Sequence, residues 1–372
     1  MNILALTYEL PPVGGGGGRA TNDVLQRLVD EGHSVDIITM HVSGLPKVSA
    51  RVDKPTVYRV FSGRLNRSHC GIIPACIYVL TAWWKARTLL TSKQYSVIHA
   101  TFIFPSGIVA ALLSTRYEVP YVVTAHGSDV PGHNRSLSTL FRLLKKPWRS
   151  IVTSAWAVTT VSTYLADLIK QQASRDIVVI PNGLRTRDFP ETNYGRTVLV
   201  VGRLQGFKSV DRGMTAFIQS KARQRGYRLA IVGHGPQRMR LQKLAQTHHI
   251  PVVFHGWVSR SKLIDLYQQS SILISASQFE SFGGVVMEAM ACGLAVIATD
   301  VGGCRELIGE AGILTPSDST QHITDALNYY LDDETHLKEM GRKARRRIAQ
   351  HYDIRTIASS YEHVLLAASK YL

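Results

Sequence analysis

Short apolar runs rich in β-branched residues recur from one end of the chain to the other. They are NILAL (2–6), SVDIIT (34–39), SVIHA (96–100), YVVTA (121–125), AVTTV (157–161) and IVVI (177–180), then TVLVVG (197–202), RLAIVG (228–233), PVVFHG (251–256), ILISAS (272–277) and AVIAT (295–299). Between them lie longer stretches with apolar residues three and four apart, the spacing of a helix that buries one face. Strands that are apolar throughout, alternating with helices, predict α/β architecture with parallel sheets covered on both sides. After Ile180 the pattern breaks at Pro181-Asn182-Gly183 and Pro190 before a fresh first strand at Thr197. This predicts a Rossmann-like domain over 1–182 and a second over 183–352. The end of the chain reads as two amphipathic helices broken at Tyr352-Asp353, with 353–372 packing back toward the first domain.

At 372 residues the chain is long enough for two domains, each with its own core. Two domains imply a cleft, the usual place for a small ligand. The N-terminal MNILALTYEL lacks a basic leader and meets Glu9 and Pro11 early, so it reads as a first buried strand rather than a signal peptide. The most apolar segment, IIPACIYVLTAWW (72–84), is too short for a membrane span. Cys70, Cys76, Cys292 and Cys304 have the spacing of neither a disulfide framework nor a zinc site, which fits a reducing cytoplasm.

Charge changes the picture. The chain carries 43 Lys and Arg against 27 Asp and Glu, a net +16, and predicts an anionic partner. Residues 51–150 hold 14 of the cations and only three of the acids. Two segments there combine apolar and basic residues: TAWWKAR (81–87), and SLSTLFRLLKKPW (136–148), with Leu137, Leu140, Phe141 and Leu144 on one face and Arg142, Lys145 and Lys146 on the other. Such helices can lie on anionic membranes, although any helix packed on a sheet has a similar pattern.

Candidate chemistry sits where predicted strands end. Five glycines, Gly14 to Gly18, join the first strand to a helix, where bare backbone and a helix N-terminus suit a diphosphate. The dinucleotide pattern G-x-G-x-x-G fails in either register, ending on Arg19 or Thr21, although Asp36 lies where a ribose-binding acid would stand. GRLQGFKS (202–209) is not a P-loop but places Arg203 and Lys208 past a strand end. VVTAHGSDV (122–130) does the same for His126 and Asp129. In FESFGGVVMEAMACG (279–293), Glu280 precedes Gly283-Gly284, which opens an apolar helix whose only charge is Glu288. On one continuous helix the two carboxylates would stand about 12 Å apart, enough to straddle a diphosphate. A structural alternative is a buried Glu288 satisfied by backbone or by an arginine.

Taken together, the glycine loop, Gly32-His33, HGSD, PNG, GRLQGFK, the GHG at 233–235, ESFGGVVMEAMACG and the GGCRE at 302–306 resemble the retaining glycosyltransferases of family 4, in family order over nearly the whole chain. The resemblance implies the GT-B fold, with an acceptor-binding first domain and a nucleotide-sugar-binding second domain. It implies transfer of a hexose or hexosamine from a nucleoside-diphosphate sugar, UDP before GDP, to a glycan or lipid-linked acceptor in cell-surface polysaccharide or glycolipid synthesis, with no metal and no cofactor.

By position, Glu280 would bind hydroxyls of the donor sugar and Glu288 the ribose. Arg203, Lys208 and the Gly283-Gly284 amides would neutralise the diphosphate, and His126 would face the donor sugar. Gly15, Gly16, Gly202, Gly233, Gly235 and Phe282 would complete the donor site. Arg185 and Ala295 depart from the family's acidic residue and proline. The competing readings are an epimerase or phosphorylase on the same fold and, from the charge, a nucleic-acid-binding protein. The basic surplus is assigned to an acceptor side that meets an anionic membrane, which would make the protein cytoplasmic and peripheral on the inner face of the cell membrane.

Overall fold

The computed structural model describes residues 1–67, 70–134 and 138–370. The chain forms two compact units, one made of Met1–Leu184 with the last helix, Ile354–Ser369, and the other of Arg185–Asp353.

The first unit is built on β1 (Asn2–Thr7), β2 (Ser34–Met40), β3 (Val48–Arg51), β4 (Lys54–Val60), β5 (Val97–Thr101), β6 (Tyr121–Ala125), β7 (Ala157–Thr160) and β8 (Ile177–Val179), in the order β3-β4-β2-β1-β5-β6-β7-β8. Every pairing is parallel except that of β3 with β4. The second unit has β9 (Thr197–Val201), β10 (Arg228–Val232), β11 (Val252–Gly256), β12 (Ile272–Ser275), β13 (Ala295–Thr299) and β14 (Ile313–Thr315), ordered β11-β10-β9-β12-β13-β14 and parallel throughout. Central strands such as β5, β6 and β13 are buried at every position, as the continuous apolar runs predict. Each sheet reverses its winding once, between β1 and β5 in the first and between β9 and β12 in the second. Loops leaving the carboxyl ends of those strands diverge, and ligands of open α/β sheets bind there.

The helix Ile354–Ser369 joins the core of the first unit. Its buried Ile354, Ile357, Tyr361, Leu365 and Ala368, three or four apart, pack with Val24, Leu25 and Leu28 of the helix Gly16–Asp30 and with Ile3, Ala5, Val97 and Val122 beneath. Gly183 admits it: a Cβ there would lie 2.8 Å from Ile357.

Three features differ from the pattern along the sequence. The 136–148 segment is two helices, Ser138–Leu143 and Lys145–Ser154, because Pro147 has no N–H for the Leu143 carbonyl and its ring crowds that oxygen. Phe141 is buried there and Leu143 is exposed, while Leu137 lies outside the described residues. The β3–β4 hairpin is short and half polar, so no apolar run announces it. Asp36 is not free for a ribose: it is buried in β2, 2.8 Å from Lys93 Nζ, and accepts from the Tyr95 hydroxyl at 2.6 Å.

Two measurements test this core. Leu365 is fully buried, so Leu365→Ala should cost about 2–5 kcal/mol and lower the urea midpoint. His99 in β5 is buried, with Nε2 2.9 Å from Thr124 Oγ1, and burial pulls its pKa down to about 4. A folded-state pKa below the unfolded one gives stability that is present above about pH 6.5 and is lost as pH falls toward 4. His99→Gln should therefore flatten the dependence of unfolding free energy on pH in that window by about one proton, roughly 1.4 kcal/mol per pH unit.

Candidate active site

In the second unit the charged groups gather at the switch between β9 and β12. β9 runs into Gly202 and Arg203, then a single turn Gly206–Lys208, before Ser209 opens the helix Val210–Gln219. β12 runs into Ser277, Phe279 and Glu280. Lys208 Nζ and Glu280 Oε1 form a close ion pair, and the Ser277 hydroxyl donates to the same oxygen at 2.8 Å. Both charged side chains keep under a fifth of their surface exposed, so the pair is largely desolvated. Phe207 and Phe279 stack 4.7 Å apart beside it, and the exposed Arg203 guanidinium lies 5.5 Å from the Phe207 ring. Gln278 N–H donates to the Phe207 carbonyl at 2.7 Å, tying the two loops together.

The helix Gly284–Ala291 begins just beyond, capped by Gly283 with φ +100°, a conformation that favours glycine. Glu280 thus precedes the helix, and the spacing expected of one continuous helix does not apply. A Cβ at Gly284 would meet nothing within 4 Å, so that helix start is open. Phe282 is buried against Tyr352, with ring centroids 5.6 Å apart. Glu288, a turn inside, accepts from the Tyr267 hydroxyl at 3.1 Å and pairs with Arg260 at 3.4 Å. The partner expected for an almost buried carboxylate is therefore present, and Arg260 itself lies over Phe189.

Several glycines read as ligand contacts have a packing reason of their own. A Cβ on Gly233 would sit 1.8 Å from the Gly202 carbonyl oxygen, and one on Gly235 would sit 2.4 Å from that of Leu204. These positions let adjacent strand-end loops lie backbone to backbone. Gly302 does the same for the Glu280 loop: its Cβ would fall 1.7 Å from the Glu280 carbonyl oxygen.

In the first unit, Gly15 caps the helix Gly16–Asp30 and its N–H donates to Glu9 Oε2 at 2.9 Å. Cβ atoms at Gly15 and Gly16 would meet nothing within 4 Å, whereas one at Gly17 would stand 2.9 Å from Phe102 and 3.2 Å from His126. Gly17 is thus the glycine that lets His126 approach the loop, and its role shows only in three dimensions. His126 Nε2 is 3.5 Å from Thr21 Oγ1, and its buried Nδ1 has no hydrogen-bond partner. Burial, with the nearby His99, holds its pKa down to about 3, so the ring is neutral across the physiological range.

Asp129 anchors the loop. One oxygen accepts from the His126 and Gly127 N–H groups at 3.0 and 2.9 Å, and the other accepts from Ile103 N–H at 2.7 Å. Desolvation raises its pKa to about 6 against the opposing pull of these bonds. Glu9, Ser277, Tyr267 and Arg260 join the picture from structure alone; nothing in their sequence spacing marks them.

Two family profiles match in succession, together over residues 14–347: Glycosyltransferase Family 4 over residues 14–188 and Glycosyl transferases group 1 over residues 187–347. Among curated proteins, glycogen synthase of Mycobacterium tuberculosis is 26% identical, covering 100% of this chain and 95% of its own. N-acetyl-alpha-D-glucosaminyl L-malate synthase of Bacillus anthracis is 27% identical, covering 95% and 94%. D-inositol 3-phosphate glycosyltransferase of Acidothermus cellulolyticus is 29% identical, covering 87% and 80%. Among solved structures, sucrose-phosphate synthase from Thermosynechococcus elongatus superposes with a TM-score of 0.84 at 23% identity over 99% of both chains. Anabaena HepE in complex with UDP-glucose gives 0.76 at 19%, over 99% of this chain and 100% of that one. The expected architecture, two Rossmann-like α/β units of the GT-B class, is the one observed, and the chain belongs to the family 4 glycosyltransferases.

Proposed function

We propose that the protein transfers a hexose or hexosamine from a nucleoside-diphosphate sugar to a glycan or lipid-linked acceptor, with retention at the anomeric carbon and without a metal. The observation that carries this reading is the grouping of Lys208, Glu280 and Arg203 beside an open helix start at Gly283-Gly284. Leaving of a nucleoside diphosphate develops negative charge, and two cations with oriented backbone N–H groups stabilise charge there. In this reading Glu280 holds Lys208 in place and takes hydroxyls of the sugar, while Glu288, fixed by Tyr267 and Arg260, takes the ribose. The acceptor oxygen bonds to the anomeric carbon on the face from which the diphosphate leaves, and the acceptor's proton passes to the departing phosphate oxygen. The neutral His126 faces the donor sugar and, held neutral by burial, takes no part in proton transfer.

UDP is the first choice of nucleotide. Structural neighbours were solved with UDP, UDP-glucose or ADP, which supports a nucleoside-diphosphate donor. The first unit would take the acceptor, and its acid-poor surface supports a site at the inner face of an anionic membrane, where polysaccharide and glycolipid acceptors are held.

Thermal unfolding in the presence of UDP, GDP, ADP and their sugar conjugates, without added metal, tests the donor site. At a hundred times the dissociation constant the matching ligand should stabilise by about 2.7 kcal/mol. That gain should vanish in Lys208→Ala and Glu288→Ala. Equal responses to all three nucleotides in these variants and in the parent would overturn the assignment, and turnover of the sugar without any acceptor would favour an epimerase.

A further inference from the structure

The helix Ile72–Ser92 buries Tyr78, Ala82, Ala86 and Leu89 against the sheet of the first unit. Its opposite side is apolar as well. At 100° per residue, Ile73, Cys76, Leu80, Trp84 and Arg87 fall within an arc of about 80° centred away from that buried stripe. Ile73, Leu80 and Trp84 are 75%, 65% and 60% exposed, and Cys76 is exposed between them. Single exposed apolar residues are ordinary, but four in a row along one helix face form a patch that needs a partner. Phe61, 68% exposed, extends it sideways, since its carbonyl accepts from the Thr81 hydroxyl at 2.7 Å on the same helix.

The surroundings of the patch are cationic. Arg87 lies 5.4 Å from the Trp84 ring and 5.8 Å from that of Trp83, and Lys85 sits over Tyr58 at 4.3 Å. From Lys54 to Tyr117 the sequence holds eight Lys and Arg and no Asp or Glu. Among the described residues no helix is long and apolar enough to cross a membrane. An apolar stripe with a tryptophan, with Arg87 against it, in a segment without acids, has the character of a helix that lies in a headgroup layer.

We infer that the exposed face of the helix Ile72–Ser92 docks on an anionic lipid surface, with Ile73, Leu80 and Trp84 inserted and Arg87 at the headgroups. This gives the membrane association suggested by the charge a defined surface. It rests on the transferase reading only for its purpose, which is to bring the enzyme to an acceptor held in the bilayer.

Co-sedimentation with vesicles of equal parts phosphatidylglycerol and phosphatidylcholine, against phosphatidylcholine alone, tests it. The parent should bind the anionic vesicles selectively, and Leu80→Ser/Trp84→Ser should weaken this by at least about tenfold, the equivalent of one lost apolar anchor. Arg87→Glu should weaken it most at low salt, where charges are least screened. Because the altered side chains are exposed, the unfolding temperature should stay within a few degrees, and the shift produced by UDP should be unchanged. Binding equal in parent and double variant, or no binding to anionic vesicles, would overturn the inference. So would self-association in lipid-free light scattering that the double variant abolishes, which would make the face a contact between copies. The UDP shift in the same preparations reports separately on the donor site, so the failure of one reading is distinguishable from the failure of the other.

Discussion

The constraint on which the second unit depends is the approach of backbone to backbone at the ends of its strands. Gly233 lies against the Gly202 carbonyl, Gly235 against that of Leu204 and Gly302 against that of Glu280, at distances no side chain could occupy. Hydrogen bonds complete the stitching: Gly202 N–H donates to Val232, Leu204 N–H to His234 and Gly233 N–H to Gly256. Loops held this way are as rigid as the sheet that carries them, and rigidity is what allows a few charged side chains to be placed with precision. Arg203, Lys208 and Glu280 are long and flexible in themselves; their roots are fixed by glycines.

The same economy governs the charges. In the second unit the buried strands are apolar, and the paired charges stand past the strand ends. There Glu280 and Lys208 meet largely out of water, and Glu288 is held by Tyr267 and Arg260. Leaving either carboxylate without its partner would strand a charge in a poorly solvated place, which costs far more than the pair itself contributes. Lys208 already has one carboxylate, so among the described residues the positive charge left without a carboxylate partner at this strand end is that of Arg203, beside the helix start.

Much of this was legible in the sequence, and the part that was not has a physical reason. The runs TVLVVG and ILISAS announce strands because burial on both faces demands apolar residues at every position. Glycines at 14–18 and 283–284 mark where the backbone must turn into a helix. The pairing of Lys208 with Glu280, 72 residues away, depends on β9 and β12 being neighbours, which no local pattern displays. Nor does any pattern single out Tyr267 or Arg260 as partners of Glu288. The helix Ile72–Ser92 fails for the opposite reason. It is apolar nearly all round, so periodicity cannot say which side the sheet covers, and the exposed stripe emerges only from the packing of Tyr78, Ala82, Ala86 and Leu89.

His126 shows how a fold can fix the protonation of a group as well as its position. Its ring is packed on Phe102 with centroids 4.7 Å apart, over a glycine that leaves room for it, and its backbone is gripped by Asp129. Asp129 faces backbone N–H groups and not the imidazole, so no carboxylate raises the basicity of the ring as it would in an acid–base pair. Burial therefore acts unopposed and keeps the histidine neutral. A neutral imidazole buried in this way is unsuited to deliver a proton near neutral pH.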